Sequence, residues 1–444
     1  MKHHQPLGVR GLYSLACALA TATVISLLCQ AQVSARNLYV SPSGDGTAGD
    51  TWAHAWKDPA QIDWTQVVSG DVIQVDGGTA GITYTTSFKV PVSGIVIRQA
   101  GGARHNGKVV FSGPTSFTVP VVPTGITFVG SNIHLLGNTR SGIKITGYGA
   151  ECLNIQTSEN VVRNVEFGGL TGFPPYGGGK IAELTFGGHN NHFVACDFRD
   201  FFRCALEKPV AGVDNTSVFR NCTMGSNSYG YFAANVACLT GSKNDAGTPT
   251  TIYADHCVFG PYCDYGVDFS NGKLHVTNCL FLSARINNLV VAPATGMTAT
   301  ANVNQCTFFE KKFSPMNLQY GIPEYTIQTN GTGRVKVANS IVYGGYVNVP
   351  ATQVINGGGN VQFAVTGNTT ALAPSLVDPQ FTDEAALAAP VLPPSFIPRT
   401  LTSLDFTPLA TSPAAGKGSP FGKVSDIVAP YGPPNGMPTA VGGP

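Results

Sequence analysis

The segment His275-Val-Thr-Asn-Cys-Leu-Phe281 is the most informative part of the sequence, because its pattern recurs along the middle of the chain. Apolar and polar residues alternate, a polar residue precedes a cysteine, and an apolar residue stands two positions after it. With small changes, the pattern also occupies Val161-Val-Arg-Asn-Val-Glu-Phe167, His192-Phe-Val-Ala-Cys-Asp-Phe198, Val218-Phe-Arg-Asn-Cys-Thr-Met224, Tyr253-Ala-Asp-His-Cys-Val-Phe259, Asn302-Val-Asn-Gln-Cys-Thr-Phe308 and Lys336-Val-Ala-Asn-Ser-Ile-Val342. The cysteine position advances from 165 through 196, 222, 257, 279 and 306 to 340. Such self-similarity indicates one structural unit per step.

Each step also contains a second strand-like segment upstream of the repeat. These segments are Leu153-Asn-Ile155, Leu184-Thr-Phe186, Cys204-Ala-Leu206, Val267-Asp-Phe269, Leu289-Val-Val291 and Tyr325-Thr-Ile327. No helical pattern separates them. Two or three short strands per irregular period predict one rung of a parallel β-solenoid, with equivalent residues about 4.8 Å apart on successive rungs. We therefore predict an all-β parallel β-helix over residues 71–345.

The repeated cysteines are predicted to form one inward-facing ladder: Cys196, Cys222, Cys257, Cys279 and Cys306. As small buried apolar side chains they would pack sulfur against sulfur. Disulfide bridges and metal ligation are the alternatives. The chain outside residues 1–35 contains nine cysteines, an odd number, which argues against a complete disulfide framework. No Cys-x-x-Cys or similarly tight metal spacing occurs.

The two ends of the chain differ from its middle. Residues 1–35 combine Lys2 and Arg10 with an apolar run and a small-residue end, which predicts a secretory signal peptide; a membrane anchor and a lipid anchor on Cys29 are the alternatives. Residues 36–70 contain all three tryptophans and are predicted to cap the N-terminal end of the β-helix. Residues 346–444 hold 15 of the 30 prolines and predict an irregular C-terminal segment that covers the final rung.

Composition restricts the class of partner. Charged residues make up only 11% of the chain, against roughly a quarter in ordinary globular proteins. After residues 1–35 are removed, 24 basic and 25 acidic residues remain, because Lys2 and Arg10 are lost. Nucleic-acid binding would require a basic stripe, which the sequence does not reveal, so no nucleic-acid partner is predicted. No later segment is apolar over the length that a membrane span needs, so none is predicted after signal cleavage.

The opening Asn37-Leu-Tyr-Val-Ser-Pro-Ser-Gly-Asp-Gly46, with Ser69-Gly-Asp-Val-Ile-Gln-Val75, resembles the entry segment of secreted bacterial right-handed parallel β-helix proteins, the pectate-lyase-like superfamily. Pro374-Ser-Leu-Val-Asp-Pro-Gln-Phe381 and Asp405-Phe-Thr-Pro-Leu409 are similar to the way many of them finish. The resemblance implies a right-handed, single-stranded parallel β-helix. It leaves function open, since the superfamily includes polysaccharide lyases, polygalacturonase-like hydrolases, epimerases and proteins without known activity.

The sequence lacks the motifs that mark those activities. It contains no Asn-Thr-Asp, Asp-Asp and Gly-His-Gly set of polygalacturonases and no epimerase-like Asp-Pro-His-Asp. It also lacks a dense aspartate cluster of the kind that calcium-dependent pectate lyases use. We therefore predict no metal and no cofactor; calcium is the alternative, although no motif in the sequence supports it.

Glu207 and Asp268 are the first candidate catalytic pair. Aligning Leu206, Leu239 and Val267 as inward residues places Glu207, Thr240 and Asp268 in one outward column, with the carboxylates about 9.6 Å apart. Inverting glycosidases hold their acid and base roughly 6.5–9.5 Å apart. The alternative is that both carboxylates are ordinary solvated groups on a sheet face.

A polysaccharide lyase would need a cation and a base beside a uronate. Lys208, Arg203 and Tyr265 are the candidates for that chemistry. Further charged and aromatic residues near the same face are predicted to bind substrate: Arg199, Tyr231, Tyr262, Asp264 and Arg285. Exposed rings would serve as a stacking platform, although packed rings are equally compatible with the sequence.

The sequence thus predicts a secreted bacterial β-helix that binds and cleaves an extracellular polysaccharide by hydrolysis or elimination. The alternative is a non-catalytic polysaccharide-binding or structural solenoid. The predicted location is extracellular, with the periplasm and the cell surface as alternatives.

Overall fold

The computed structural model describes residues 35–113, 124–168, 182–199, 203–225, 237–241, 248–260, 263, 265–282, 287–310, 325–348, 350, 352–363, 366–367, 379–382 and 405–420. The predicted signal peptide lies outside these ranges, apart from Ala35. In the described part of the chain, no helix is long and apolar enough to cross a membrane.

Three parallel sheets, which we call A, B and C, form the molecule. The chain passes from sheet A to B to C and back to A, so that each circuit adds one strand to every sheet. Sheet A contains β1 (Asn37–Val40), β2 (Val72–Val75), β5 (Val96–Gln99), β8 (His134–Leu136), β11 (Val161–Arg163), β14 (Asn191–Val194), β17 (Asn215–Arg220), β20 (Thr250–Asp255), β23 (Gly272–Thr277), β26 (Ala299–Asn304), β29 (Arg334–Ala338) and β32 (Val354–Asn356).

Sheet B contains β3 (Ile82–Thr85), β6 (Val109–Ser112), β9 (Ile143–Thr146), β12 (Val165–Gly168), β15 (Asp197–Arg199), β18 (Thr223–Gly225), β21 (Val258–Phe259), β24 (Leu280–Leu282), β27 (Thr307–Phe309), β30 (Ile341–Tyr343) and β33 (Val361–Phe363). Sheet C contains β4 (Phe88–Val90), β7 (Thr124–Phe128), β10 (Glu151–Ile155), β13 (Ala182–Phe186), β16 (Arg203–Glu207), β19 (Ala237–Gly241), β22 (Tyr265–Phe269), β25 (Asn287–Val291), β28 (Tyr325–Thr329), β31 (Tyr346–Asn348) and β34 (Thr366–Gly367). The predicted single-stranded parallel β-helix is confirmed, with the right-handed connections that twisted parallel strands favour.

The repeated Asn-Cys pair marks the turn from sheet A to sheet B. The residue before each cysteine position has positive φ, as at Asn221 (54°), His256 (52°) and Asn278 (56°). Asparagine tolerates this left-handed conformation better than most residues. The cysteine that follows points into the core, so one two-residue signal sets both the turn and the next buried side chain.

The cysteine ladder is buried, as predicted, and all nine described thiols are free. Each repeat thiol donates to the carbonyl oxygen two residues before it, for example Cys279 Sγ to Thr277 O at 3.1 Å. In the rung after Cys306 the same position is Ser340, whose Oγ donates to the Ala338 oxygen at 2.7 Å. The ladder therefore packs the core and satisfies carbonyl groups at the turn.

Stacked aromatic rings fill the core beside this ladder. Phe281 lies between Phe259, at 4.9 Å, and Phe308, at 4.4 Å, measured between ring centroids. The three rings occupy one register column of sheet B. Equivalent positions on neighbouring rungs are one strand spacing apart, so identical aromatic side chains at those positions stack on one another.

At the N-terminal end, β1 already belongs to sheet A, where it pairs with β2. Trp56 is buried and bridges to Val40, and a short 3-10 helix follows at Pro59–Gln61. The region predicted as a cap thus begins with the first strand of the β-helix.

The described part of the C-terminal segment packs on the outer face of sheet B. Phe381, Phe406 and Ala414 are buried against an apolar column that includes Leu280 and Ile341. The backbone N–H of Ser419 donates to Thr307 Oγ1 at 3.0 Å in the same column. This segment therefore covers the side of several rungs; whether the rest of it also covers the final rung stays a prediction, since residues 383–404 and 421–444 lie outside the described residues.

Candidate functional site

The strands of sheet C carry two outward positions three residues apart. In β10, Cys152 and Leu153 are both fully buried. Glu151 and Asn154, on either side of them, contact each other on the outer face. Asn154 Nδ2 donates to Glu151 Oε2 at 2.9 Å. The pairing of neighbouring strands omits the second residue of each strand and keeps the same register on either side of it, so this local break in the alternation repeats along the sheet. Outer-face residues of sheet C are thus found at the first and fourth positions of each strand.

Glu151 is the centre of a polar cluster on this outer face. Its Oε1 accepts from Thr185 Oγ1 at 2.7 Å and from Lys208 Nζ at 2.8 Å. The Glu151 side chain is 8% exposed, whereas that of Lys208 is 45% exposed. The cluster joins three neighbouring strands and leaves one ammonium group accessible. The sequence did not single out Glu151, because its partners lie 34 and 57 residues away.

The column predicted for the hydrolytic pair is wrong by one residue. Leu206, Thr240 and Asp268 share one register column, and the inward column beside it contains Ala205, Leu239 and Val267. Ala205, not Leu206, aligns with Leu239, in the same register that pairs Arg203 with Ala237 at the start of these strands. Asp268 occupies the fourth position of β22 and faces outward, as the sequence predicted.

Glu207 lies in a different column, next to the apolar interior. It pairs with Phe186 on the preceding strand, and the same register continues to Gly241 and Phe269. Thr250 Oγ1 donates to Glu207 Oε1, and the side chain is 3% exposed. A one-residue offset moves a side chain to the other side of a strand. The two carboxylates thus do not line one face, and the geometric argument for them as an acid and base pair is lost.

The predicted lyase residues are distributed along sheet C. Arg203, Ala237 and Tyr265 share a register column at the first strand position. Tyr265 and Asp268 occupy the first and fourth positions of β22, where Glu151 and Asn154 lie in β10. Lys208 follows β16 and reaches back to β10. Lys208 and Asp268 consequently engage opposite sides of β16 and do not form one compact constellation.

The remaining predicted binding residues are only partly described. Arg199 is exposed on β15 of sheet B, in register with Gly168 and Gly225, and so lies on a different sheet from Asp268. Tyr231, Tyr262, Asp264 and Arg285 lie outside the described residues. Among the residues that the structure does describe, no group of three or more His, Cys, Asp and Glu side chains is arranged to hold a metal ion.

The most charged run of the sequence, residues 197–208, is divided between sheet B and sheet C. Asp197 lies on β15 and accepts from Arg140 Nη2 at 2.6 Å and from Ser141 Oγ at 2.9 Å. Burial alone would raise the pKa of Asp197, but hydrogen bonds from Arg140, Thr223 and Ser141 hold it below its ordinary value. This carboxylate is enclosed by its partners, and we interpret it as structural.

The next outward acid of sheet B is also paired. Glu166 pairs in register with Asp197 and contacts Lys108 Nζ at 2.7 Å and Lys144 Nζ at 3.0 Å. Burial would raise its pKa, but these two ammonium groups lower it. The outer face of sheet B is thus stabilised by ion pairs at one end and covered by the C-terminal segment at the other, whereas the outer face of sheet C carries the polar cluster around Glu151 and is the candidate site.

Three solved structures are similar to this chain. The pectate lyase Pel9A is 14% identical, with a TM-score of 0.48, over 82% of this chain and 89% of its own. A rhamnogalacturonan lyase is 13% identical, with a TM-score of 0.43, over 81% and 93%. A mannuronic-acid-specific family 6 polysaccharide lyase from human gut microbiota is 13% identical, with a TM-score of 0.43, over 77% and 91%. No protein-family model and no curated protein matches the chain. The register of the three sheets establishes the parallel β-helix independently of these similarities.

Proposed function

We propose that this protein is a secreted carbohydrate-active β-helix that binds and cleaves an acidic polysaccharide along the outer face of sheet C. One observation carries the proposal: polar side chains on an outward-facing sheet surface are almost fully buried. Glu151 is 7% exposed, Thr185 0%, Thr240 1% and Asp268 4%. Ligand-binding sites combine a largely buried lining with a small number of polar groups that fix the orientation of the ligand.

Elimination is the reaction that the geometry favours over hydrolysis. Hydrolysis by Glu207 and Asp268 requires both carboxylates on one face, whereas Glu207 lies in the inward column. In elimination, a base removes the proton beside the uronate carboxylate, the C–H electrons form a double bond, and the glycosidic oxygen leaves with a proton. Tyr265 and Asp268, at the first and fourth positions of β22, are the titratable groups that we assign to the two proton transfers.

The cations have separate roles in this proposal. Arg203, whose backbone shares a register column with Tyr265, is the cation that we assign to neutralise the uronate carboxylate at the point of cleavage. Lys208, held by Glu151 at 2.8 Å, would bind a sugar farther along the polymer. Secretion and an extracellular location complete the proposal, and they rest on the signal-like composition of residues 1–35.

The test uses the chain from residue 36 to 444 with a panel of acidic and neutral polysaccharides. Unsaturated-uronate absorbance and reducing ends are followed in parallel. We expect both signals to rise with an acidic polymer, and both to fall at least about 100-fold in Asp268→Asn and in Tyr265→Phe, the low end of what one proton-transfer group contributes. Asp214→Asn is the matched control, since the Asp214 side chain is 81% exposed on a turn.

Three other outcomes would change the proposal. Reducing ends without absorbance would replace elimination by hydrolysis. Cleavage that survives Asp268→Asn would refute the site. Binding without cleavage on every polymer would favour the non-catalytic solenoid. The ion pair between Lys208 and Glu151 is compatible with that function as well. N-terminal sequencing of the exported protein tests secretion, with Arg36 expected as the first residue.

A further inference from the structure

The outer face of sheet A carries a row of cations that the sequence does not reveal. Six basic residues occupy its outward strand positions: Arg98, Arg163, Arg220, Lys273, Arg334 and Lys336. Asp255, 3.3 Å from Arg220, is the one acidic residue at the described outward strand positions of this sheet. We call these six residues the cationic face. The chain as a whole has nearly equal numbers of basic and acidic residues, so the excess of cations on this one face is a local feature of the surface.

The cations recur at a regular spacing along the axis of the β-helix. Arg98, Arg163 and Arg220 share one register column, with Leu136 and Val194 between them. Two strand spacings therefore separate successive arginines, or roughly 9.6 Å. Arg98 and Arg163 are exposed. A linear polymer lying along the axis would meet one cation at each second strand.

An exposed aromatic ring stands next to this row. Tyr253 is 42% exposed and stacks on His275 with ring centroids 4.7 Å apart and ring planes 12° apart. Burial and the nearby Lys273 lower the pKa of His275, so the ring is neutral at neutral pH. A sugar ring can pack its apolar face on such a platform while its charged groups reach the neighbouring cations.

We propose that the cationic face is a second binding surface, which holds an acidic polysaccharide along the axis of the β-helix. Charge complementarity and regular spacing argue for a polymer of low charge density. A uronan carries at most one carboxylate per sugar, whereas B-DNA carries one charge per about 1.7 Å. The surface belongs to sheet A and uses none of the sheet C residues, so it does not depend on cleavage at Asp268.

The test measures binding of sodium polygalacturonate to residues 36–444 by isothermal titration calorimetry at two salt concentrations. Arg163→Gln with Lys273→Gln removes two exposed cations from the cationic face. The control, Lys57→Gln with Arg104→Gln, removes two exposed cations from elsewhere. We expect the first variant to bind about three- to tenfold more weakly, with a smaller salt dependence, and the control to bind within about twofold of the wild type.

Tyr253→Ala provides a second variant with intact charge. Tyr253 is 42% exposed, so the fold should persist while binding weakens. Equal weakening in both double variants, or no binding by the wild type, would overturn the proposal. Neutral dextran or duplex DNA binding as tightly as polygalacturonate, with the same dependence on Arg163 and Lys273, would overturn the polymer class. Asp268→Asn separates the two sites, because it should abolish cleavage and leave this binding unchanged.

Discussion

Asp197 offers the sharpest test of how charge stabilises this β-helix. Its side chain is 5% exposed and that of its partner Arg140 is 16% exposed. Ser141 and Thr223 also donate to the carboxylate. Removing one member of a buried pair leaves the other charge uncompensated, which costs about 3–5 kcal/mol. We therefore expect Asp197→Asn to lower the free energy of unfolding by that amount at neutral pH.

The effect should depend on pH in a defined direction. The folded-state pKa of Asp197 is depressed below its unfolded value of about 3.9. The stabilisation is therefore fully present above the unfolded pKa and is lost as pH falls through the lower folded pKa. At that acid limit the wild-type carboxyl group is neutral, as the Asn side chain always is, and the two proteins should converge.

Urea unfolding followed by tryptophan fluorescence, at neutral pH and in steps below about pH 4, measures this difference. Asp50→Asn is the control, since its side chain is 61% exposed and its loss should change stability by less than about 1 kcal/mol. Arg140→Met combined with Asp197→Asn should cost clearly less than the sum of the two single changes. A cost below about 1 kcal/mol for Asp197→Asn, or a cost independent of pH, would refute the argument.

Three further predictions concern the packing of the rungs. Phe281→Ala should cost about 3–5 kcal/mol in denaturant unfolding, because its ring is fully buried between Phe259 and Phe308; a cost near zero would contradict the stack. Gly272→Ala should lower the melting temperature, since φ is +99° and a Cβ would collide with the Thr250 carbonyl oxygen; an unchanged melting temperature would show that this turn is not constrained. An aromatic disulfide reagent should find no reactive thiol in the native protein and nine after unfolding of residues 36–444, because burial protects all nine; fewer after unfolding would indicate bridges.

The turn from sheet A to sheet B could be predicted from sequence because its signal is local. Asn278 and Cys279 are adjacent, and their conformation and burial follow from the residue types. One such pair per rung is enough to identify the period, and stacked parallel strands then place equal positions in one column. The cysteine ladder followed directly from that periodicity.

The register of sheet C could not be predicted in the same way. Leu206 was expected to align with Leu239, whereas Ala205 aligns with Leu239 and Glu207 lies in the inward column. Because side chains alternate with a period of two, a one-residue error exchanges the two faces of a strand. The predicted outward position of Asp268 agrees with the register, because Val267 does align with Leu239 and Asp268 with Thr240.

The repeat, the turn chemistry and the buried ladder follow from the order of the residues alone, since each depends on residues that are neighbours in the chain. The Glu151 cluster, the cover over sheet B and the cationic face become visible only in the folded protein. Glu151 meets Lys208 from 57 residues away, and Arg163 and Arg220 share one column two strands apart. Each rung of the β-helix contributes one strand to each sheet, so residues that are neighbours on a sheet surface are one or more whole rungs apart in the sequence. Which residues lie together is therefore known only when the register of every strand is known.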